Sequence, residues 1–131
     1  MSGNYQDLLV WQKAMDIVVK VYELTKSFPR EEVYGLVSQM RRAAITVPSN
    51  IAEGKGQRSR KELAQFLFHA RGSLLELETQ NQIAERLGYL DRPHAAELKT
   101  HSSEVGRLLN GMISHFTNSP TVGDSSLTPD T

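Results

Sequence analysis

Six cationic residues lie in a segment that carries a single acid. Between residues 41 and 61 the acid is Glu53, and the cations are Arg41, Arg42, Lys55, Arg58, Arg60 and Lys61. Gly54 and Gly56 predict a loop with exposed backbone amides, and a helix is predicted directly after it. Clustered cations, free amides and a helix N-terminus are groups that hold phosphate. The segment therefore predicts a contact with the phosphate backbone of RNA or DNA.

The same cations have a structural alternative. Solvated charges on a loop keep a protein soluble, and the Gly-Lys-Gly sequence lacks the spacing that wraps a nucleotide phosphate. A partly buried Arg41 or Arg42 would need a carboxylate partner, which the third predicted helix offers at Glu76 and Glu78. We therefore expect at least one Arg–Glu pair between the second and third helices. The sequence leaves open whether the loop cations bind a ligand or only water.

Neither a metal centre nor a catalytic group has its characteristic spacing here. Metal-binding bundles use Glu-x-x-His motifs on two helices, whereas Glu97 and His101 are four residues apart and no second pair exists. Together with Glu104, these residues predict at most weak surface binding of zinc. Ser73 is expected to be a small packing residue beside Gly72 rather than a nucleophile. The sequence thus predicts no enzyme, no catalytic residue, no metal site and no cofactor.

Four helices are predicted to position the basic segment, because apolar residues recur at three- and four-residue steps in four stretches. The predicted ranges are about 7–27, 31–54, 59–87 and 91–116. Pro48 lies inside the second range, and because the apolar period continues across it, we predict one kinked helix. Gly72 inside the third helix costs about 1 kcal/mol relative to alanine, which predicts close approach of a neighbouring helix. Short links predict an all-α, antiparallel up-down-up-down four-helix bundle.

Length and composition fit one domain. The chain has 131 residues and a net charge of zero, so any attraction to nucleic acid must be local. We expect the bundle to span residues 1–116. Residues 117–131 contain only two aliphatic side chains, which predicts a disordered tail. With no cysteine, no secretory signal and no apolar run of about 20 residues, the protein is expected to be cytoplasmic and not to contact a membrane.

The first predicted helix carries more apolar surface than one bundle can bury. One stripe consists of Leu8, Trp11, Met15, Val18 and Tyr22, and a second of Val10, Ala14, Ile17, Val21, Leu24 and Phe28. A helix that covers one side of a bundle needs a single stripe about 100° wide. We therefore predict a homo-oligomer and assign its contact to Val10, Ala14, Ile17, Val21 and Leu24. The sequence does not decide which stripe faces the core.

Several segments resemble a family of bacterial four-helix bundle proteins encoded in intervening sequences of 23S ribosomal RNA genes. The most specific are Pro48-Ser49-Asn50-Ile51-Ala52-Glu53-Gly54 and Ala70-Arg71-Gly72-Ser73, and the resemblance covers about residues 7–116. It implies a homopentamer with no known enzymatic activity. A similar accessory protein of diversity-generating retroelements is a pentameric bundle that binds nucleic acid and a reverse transcriptase through its basic surface. The corresponding surface here would be formed by the six cations of residues 41–61.

Two functions are consistent with these patterns. The preferred one is a non-enzymatic homo-oligomeric bundle that binds structured RNA or DNA through its basic loop. The alternative is a scaffold that binds another, unidentified protein and does not touch nucleic acid. A nuclease-resistant complex with one protein partner would favour the alternative.

Overall fold

The computed structural model describes residues 4–117 and shows four α-helices in this part of the chain. Their bounds are Leu9–Thr25 (α1), Leu36–Lys55 (α2), Arg60–Arg86 (α3) and Arg92–Thr117 (α4). Short 3-10 turns precede α1 and α2. Residues 4–117 contain no strand, which confirms the all-α class. The predicted disordered tail lies outside the described residues, except for its first residue, which ends α4.

The four helices surround one apolar core. Both α1 and α3 pack against α2 and α4, so each helix has two neighbours and the packing is that of a four-helix bundle. The largest fully buried side chains include Met40, Ile51, Leu67, Leu74, Leu98 and Leu109. Within residues 4–117 no helix combines the length and apolarity needed to span a membrane.

Most of the second apolar stripe of α1 lies in the core of one chain, so four of the five residues to which we assigned the contact between copies cannot form it. Val10, Ala14, Ile17 and Val21 are only 3%, 0%, 2% and 0% exposed. Leu24 is partly buried against the same core. Side chains with almost no accessible surface cannot contact a second copy. Any contact between copies must use residues other than these four, and the assignment of Leu24 stays a prediction.

The connection between α1 and α2 is longer than predicted, because α1 ends at Thr25 and α2 begins only at Leu36. At Thr25, the last residue of α1, the hydroxyl donates to the carbonyl of Val21 at 2.7 Å. The predicted start of the second helix is instead a separate 3-10 turn, Arg30–Glu32. The Glu32 carboxylate accepts a hydrogen bond from the amide of Leu36 at 3.0 Å. This carboxylate satisfies a free amide at the start of α2 from outside the helix.

Pro48 lies inside α2, which continues through it to Lys55. The prediction of one helix rather than two is therefore confirmed. Pro48 is buried, and its ring nitrogen cannot donate the hydrogen bond that other residues make to the carbonyl four residues earlier. A kink of the helix axis at this position stays a prediction.

Candidate nucleic-acid interface

The loop between α2 and α3, residues 56–59, places its cations beside a capped helix start. The hydroxyl of Ser59 accepts a hydrogen bond from the amide of Glu62 at 3.1 Å, so Ser59 caps α3. The helices approach closely at the base of the loop, because a Cβ on Gly54 would lie 2.9 Å from the Cβ of Phe66. The loop is therefore anchored on both sides.

Three of the four predicted loop cations have no partner within residues 4–117. Arg58 and Lys61 are exposed and Lys55 is partly buried. None of the three forms an ion pair or a hydrogen bond through its side chain in this part of the chain. Their charges are available to an external anion.

Arg60 has a structural role instead. Its Nη2 donates to the backbone carbonyl of His115 at 3.0 Å, and its guanidinium carbon lies 5.7 Å from the centroid of the Phe116 ring. The last carbonyls of a helix lack partners within the helix, and arginine commonly supplies one. Arg60 thus joins the start of α3 to the end of α4.

Arg41 and Arg42 do not belong to the loop group. Arg41 precedes Lys55 by 14 residues on the same helix, a distance of about 20 Å along the helix axis. The six cations predicted as one patch are therefore two groups. One lies at the α2–α3 loop and the other in the first half of α2.

The Arg41 guanidinium is fixed against α1. Its Nε donates to the hydroxyl of Thr25 at 3.0 Å and its Nη2 to the carbonyl of Tyr22 at 3.4 Å. The guanidinium carbon lies 4.3 Å from the centroid of the Tyr22 ring, which is cation–π geometry. The predicted Arg–Glu pair is wrong, because within residues 4–117 neither Glu76 nor Glu78 forms an ion pair.

An open groove of about 700 Å³ lies between α1 and α2 beside Arg41. Lys26, Tyr34 and Arg42 also line it, and none of its lining residues is acidic. Lys26 and Tyr34 were not predicted as site residues. Both lie at or beyond helix ends, where apolar periodicity gives no information about which side chains meet.

The residues considered as weak zinc ligands join helices instead. Lys13 Nζ lies 3.0 Å from Glu104 Oε2, and Lys20 Nζ lies 3.2 Å from Glu97 Oε2. His101 Nε2 is 4.0 Å from the same Glu97 oxygen. Residues 4–117 contain no group of three or more His, Cys, Asp or Glu placed to hold a metal ion. The two ion pairs connect α1 to α4.

The side of α3 that faces away from the core carries an apolar stripe, here called the α3 outer face. Phe68, Gly72, Leu75, Thr79 and Ile83 follow one another at steps of four, three, four and four residues, which places them on one helix face. Its three large apolar side chains are between 42% and 55% exposed. A Cβ on Gly72 would meet no atom within 4 Å, so the close helix approach predicted there does not occur within residues 4–117. These steps can be read from the sequence. They were not singled out because the buried apolar residues of the same helix recur at the same three- and four-residue steps.

α1 also has an apolar face beside its core side, here called the α1 outer face. It consists of Trp11, Met15, Val18 and Val19, all partly buried or exposed, and Trp11 and Val18 pack in part against the core. Trp11, Met15 and Val18 line a shallow apolar groove of about 320 Å³ beside α2. Three of its residues belong to the first of the two stripes predicted for this helix. The surplus apolar surface of α1 is therefore this face.

Comparisons with known proteins point to one family. The family model described as 23S rRNA-intervening sequence protein matches residues 6–111. A crystal structure of a protein of unknown function from the S23 ribosomal protein family of Bacteroides thetaiotaomicron VPI-5482 is similar, with a TM-score of 0.75 and 24% sequence identity. That similarity covers 80% of this chain and 98% of the other, and at this identity it shows the fold alone. No curated protein matches the chain.

Proposed function

The chain belongs to the 23S rRNA-intervening sequence protein family, and on that premise we propose that it is a non-enzymatic, self-assembling bundle that binds structured RNA or DNA in the cytoplasm. The binding surface is the loop between α2 and α3. The observation that supports it is the group of Lys55, Arg58 and Lys61, which have no carboxylate partner within residues 4–117. A nucleic-acid backbone supplies the missing negative charge.

The surroundings of the loop favour phosphate over other ligands. The start of α3 adds unpaired backbone amides and the positive end of the helix dipole to the three cations. Arg60, held by the end of α4, keeps that start in place. Contacts of this kind position a backbone without reading bases. We therefore expect binding that depends on salt and on shape more than on sequence.

Self-assembly is the second part of the proposal. A closed ring joins two different surfaces of each subunit, and this chain has two apolar faces, on α1 and on α3. These helices do not pack against each other, so the two faces lie on different sides of the bundle. We propose that the α3 outer face of one copy packs on the α1 outer face of the next, with Gly72 leaving room for the neighbour. The pentamer implied by the family resemblance would repeat the loop five times.

The up-down-up-down arrangement is part of the same proposal. Lys13, near the start of α1, pairs with Glu104, whereas Lys20, further along α1, pairs with Glu97, which comes earlier in α4. This reversal supports antiparallel neighbours. A kink of α2 at Pro48 would curve the helix around the core.

Binding through the loop is tested by fluorescence anisotropy with a labelled RNA stem-loop and a DNA duplex. We compare the wild type with the Lys55→Ala/Arg58→Ala/Lys61→Ala variant across about 50–200 mM salt. The matched control is Arg86→Ala/Lys99→Ala/Arg107→Ala, which removes three exposed cations that have no ion pair in residues 4–117.

We expect the wild type and the control to bind at low salt and to lose affinity steeply as salt rises. The loop variant should bind more weakly, and on DNA its slope of log K against log salt should be shallower by up to about 0.9 for each phosphate that it no longer neutralises. A wild type that binds neither probe at low salt, or equal weakening in both variants, would contradict the proposal.

The two exposed apolar faces also favour the alternative, a scaffold that binds another protein. Faces of this kind mark protein interaction surfaces, whichever protein covers them. The alternative predicts a single chain in isolation, no affinity for either nucleic-acid probe, and a nuclease-resistant complex with one protein. The same anisotropy titration and the mass of the purified chain separate the two functions.

A further inference from the structure

Arg41 is held in one orientation while part of its hydrogen-bonding capacity stays free. A guanidinium has five N–H donors. One is used on the Thr25 hydroxyl and one on the Tyr22 carbonyl, and the others have no partner within residues 4–117. Stacking on the Tyr22 ring fixes the plane of the group. Because the side chain is already ordered, binding an oxyanion costs little further entropy, and the free donors suit a phosphate.

The charge of the groove beside Arg41 favours an anion. Lys26 and Arg42 line it together with Arg41, and no acidic residue does. Glu32, in the segment that joins α1 to α2, is engaged elsewhere. Its carboxylate accepts hydrogen bonds from the Leu36 amide at 3.0 Å and from the Tyr89 hydroxyl at 2.9 Å. The three cations are therefore not neutralised within the groove.

Tyr34 gives the groove an aromatic surface. Its side chain is 96% exposed, more than any other large apolar side chain in residues 4–117. Val33 and Ile45, both exposed, line the groove with it. An exposed ring beside clustered cations is the combination that sites for unpaired nucleotides use, since bases stack on aromatic side chains while cations hold the backbone. An acidic peptide would use the cations but leave the ring unused.

We propose that this groove binds a nucleotide, with the phosphate on Arg41 and the base stacked on Tyr34. The groove volume, about 700 Å³, lies in the range of small-ligand sites. The nucleotide is either free or an unpaired residue of an RNA or DNA strand, because the chemistry recognised is the same. This site lies away from the α2–α3 loop, so it goes beyond the proposed function and does not depend on the loop.

The test is binding of a labelled, unstructured oligouridine, with uridine monophosphate as competitor. Tyr34→Ala should weaken oligouridine binding by between about 5-fold and 150-fold, because stacking on one aromatic ring contributes that much per base. Tyr34→Phe keeps the ring and should change affinity by less than about 2-fold. Since Tyr34 is almost fully exposed, neither substitution should affect folding. Arg41→Lys keeps the positive charge but loses the planar guanidinium with its several N–H donors, and should also weaken oligouridine binding.

The competitor distinguishes the two sources of the nucleotide. If uridine monophosphate displaces the oligouridine, the site takes free nucleotides, and if it does not, the site takes an unpaired residue of a strand. Either result supports the proposal when Tyr34→Ala weakens binding. Three results overturn it: no oligouridine binding at low salt, equal affinity of wild type and Tyr34→Ala, or equally tight binding of a polyglutamate peptide.

The loop variant separates this proposal from the proposed function. Lys55→Ala/Arg58→Ala/Lys61→Ala should lose affinity for the RNA stem-loop and keep most of its affinity for oligouridine. Oligouridine binding that is sensitive to the loop variant and insensitive to Tyr34→Ala would remove the groove site and leave the loop function standing. If the loop variant instead kept full affinity for the RNA stem-loop while Tyr34→Ala weakened oligouridine binding, the loop function alone would be removed.

Discussion

Gly54 and Gly72 have opposite surroundings and predict opposite effects of the same substitution. A Cβ at Gly54 would lie 2.9 Å from the Cβ of Phe66, whereas one at Gly72 would meet nothing within 4 Å. We expect Gly54→Ala to lower the free energy of unfolding by about 1–3 kcal/mol through overpacking. Gly72→Ala should raise it by up to about 1 kcal/mol, because alanine favours the helix. Urea unfolding measures both free-energy changes, in a Leu75→Glu background in which copies should not assemble. Free-energy changes of the same sign for the two substitutions would contradict the packing described.

Asp91 caps the start of α4, and its contribution to stability should depend on pH. Its Oδ1 accepts a hydrogen bond from the backbone amide of His94 at 2.9 Å and contacts the His94 ring at 2.7 Å. The bond from the backbone of His94, followed by the one from its side chain, lowers the pKa of Asp91 below the ordinary value of 3.8. At pH values above that ordinary pKa, the ionised carboxylate therefore stabilises the fold. This contribution is lost as pH falls through the lower pKa that the group has in the folded state.

Thermal unfolding of Asp91→Ala tests this cap. The variant should have a lower Tm than the wild type at neutral pH, and the difference should shrink as pH falls below 3.8 and through the lower pKa of the folded carboxyl. Asp16→Ala, on the exposed side of α1, is the control and should change the Tm little at either pH. A Tm difference for Asp91→Ala that persists at low pH would rule out the carboxylate as its cause.

At the scale of the helices, α1 offers a matched pair of substitutions. Val21 is 0% exposed and Val19 is 55% exposed, although they are two residues apart. Val21→Glu would bury an unpaired carboxylate and should unfold the chain rather than only separate copies. Val19→Glu should leave the helical circular dichroism signal unchanged and weaken self-association. If Val21→Glu kept a native fold, the inward face of α1 would be misassigned.

Apolar periodicity predicted the number of helices and their approximate ranges. It could not assign the two stripes of α1, because a period shows which residues share a face and not what covers that face. The start of α2 at Leu36 is stabilised by a hydrogen bond from its amide to the Glu32 carboxylate, which periodicity does not detect. The partner of Arg41 could not be predicted either, since Thr25 lies 16 residues earlier and meets it only through the packing of α1 on α2.

At the scale of the molecule, charge and apolar surface are distributed unevenly. The lysines that face α4 are paired with Glu97 and Glu104, while the loop cations are not paired within residues 4–117. Net charge is zero, so positive potential is local and would become extensive only when several copies bring their loops together. The proposed function therefore depends on assembly through the α1 and α3 outer faces, because assembly turns three cations per chain into a binding surface.

The most direct test of that claim is the mass of the purified chain in solution, measured by multi-angle light scattering. The wild type should have about five times the chain mass of 14.7 kDa, as the family resemblance implies. Leu75→Glu on α3 and Val19→Glu on α1 should each shift the mass toward that of one chain while the fold is retained. A wild type that stays at 14.7 kDa at high protein concentration, with both apolar faces open to water, would contradict assembly through these faces.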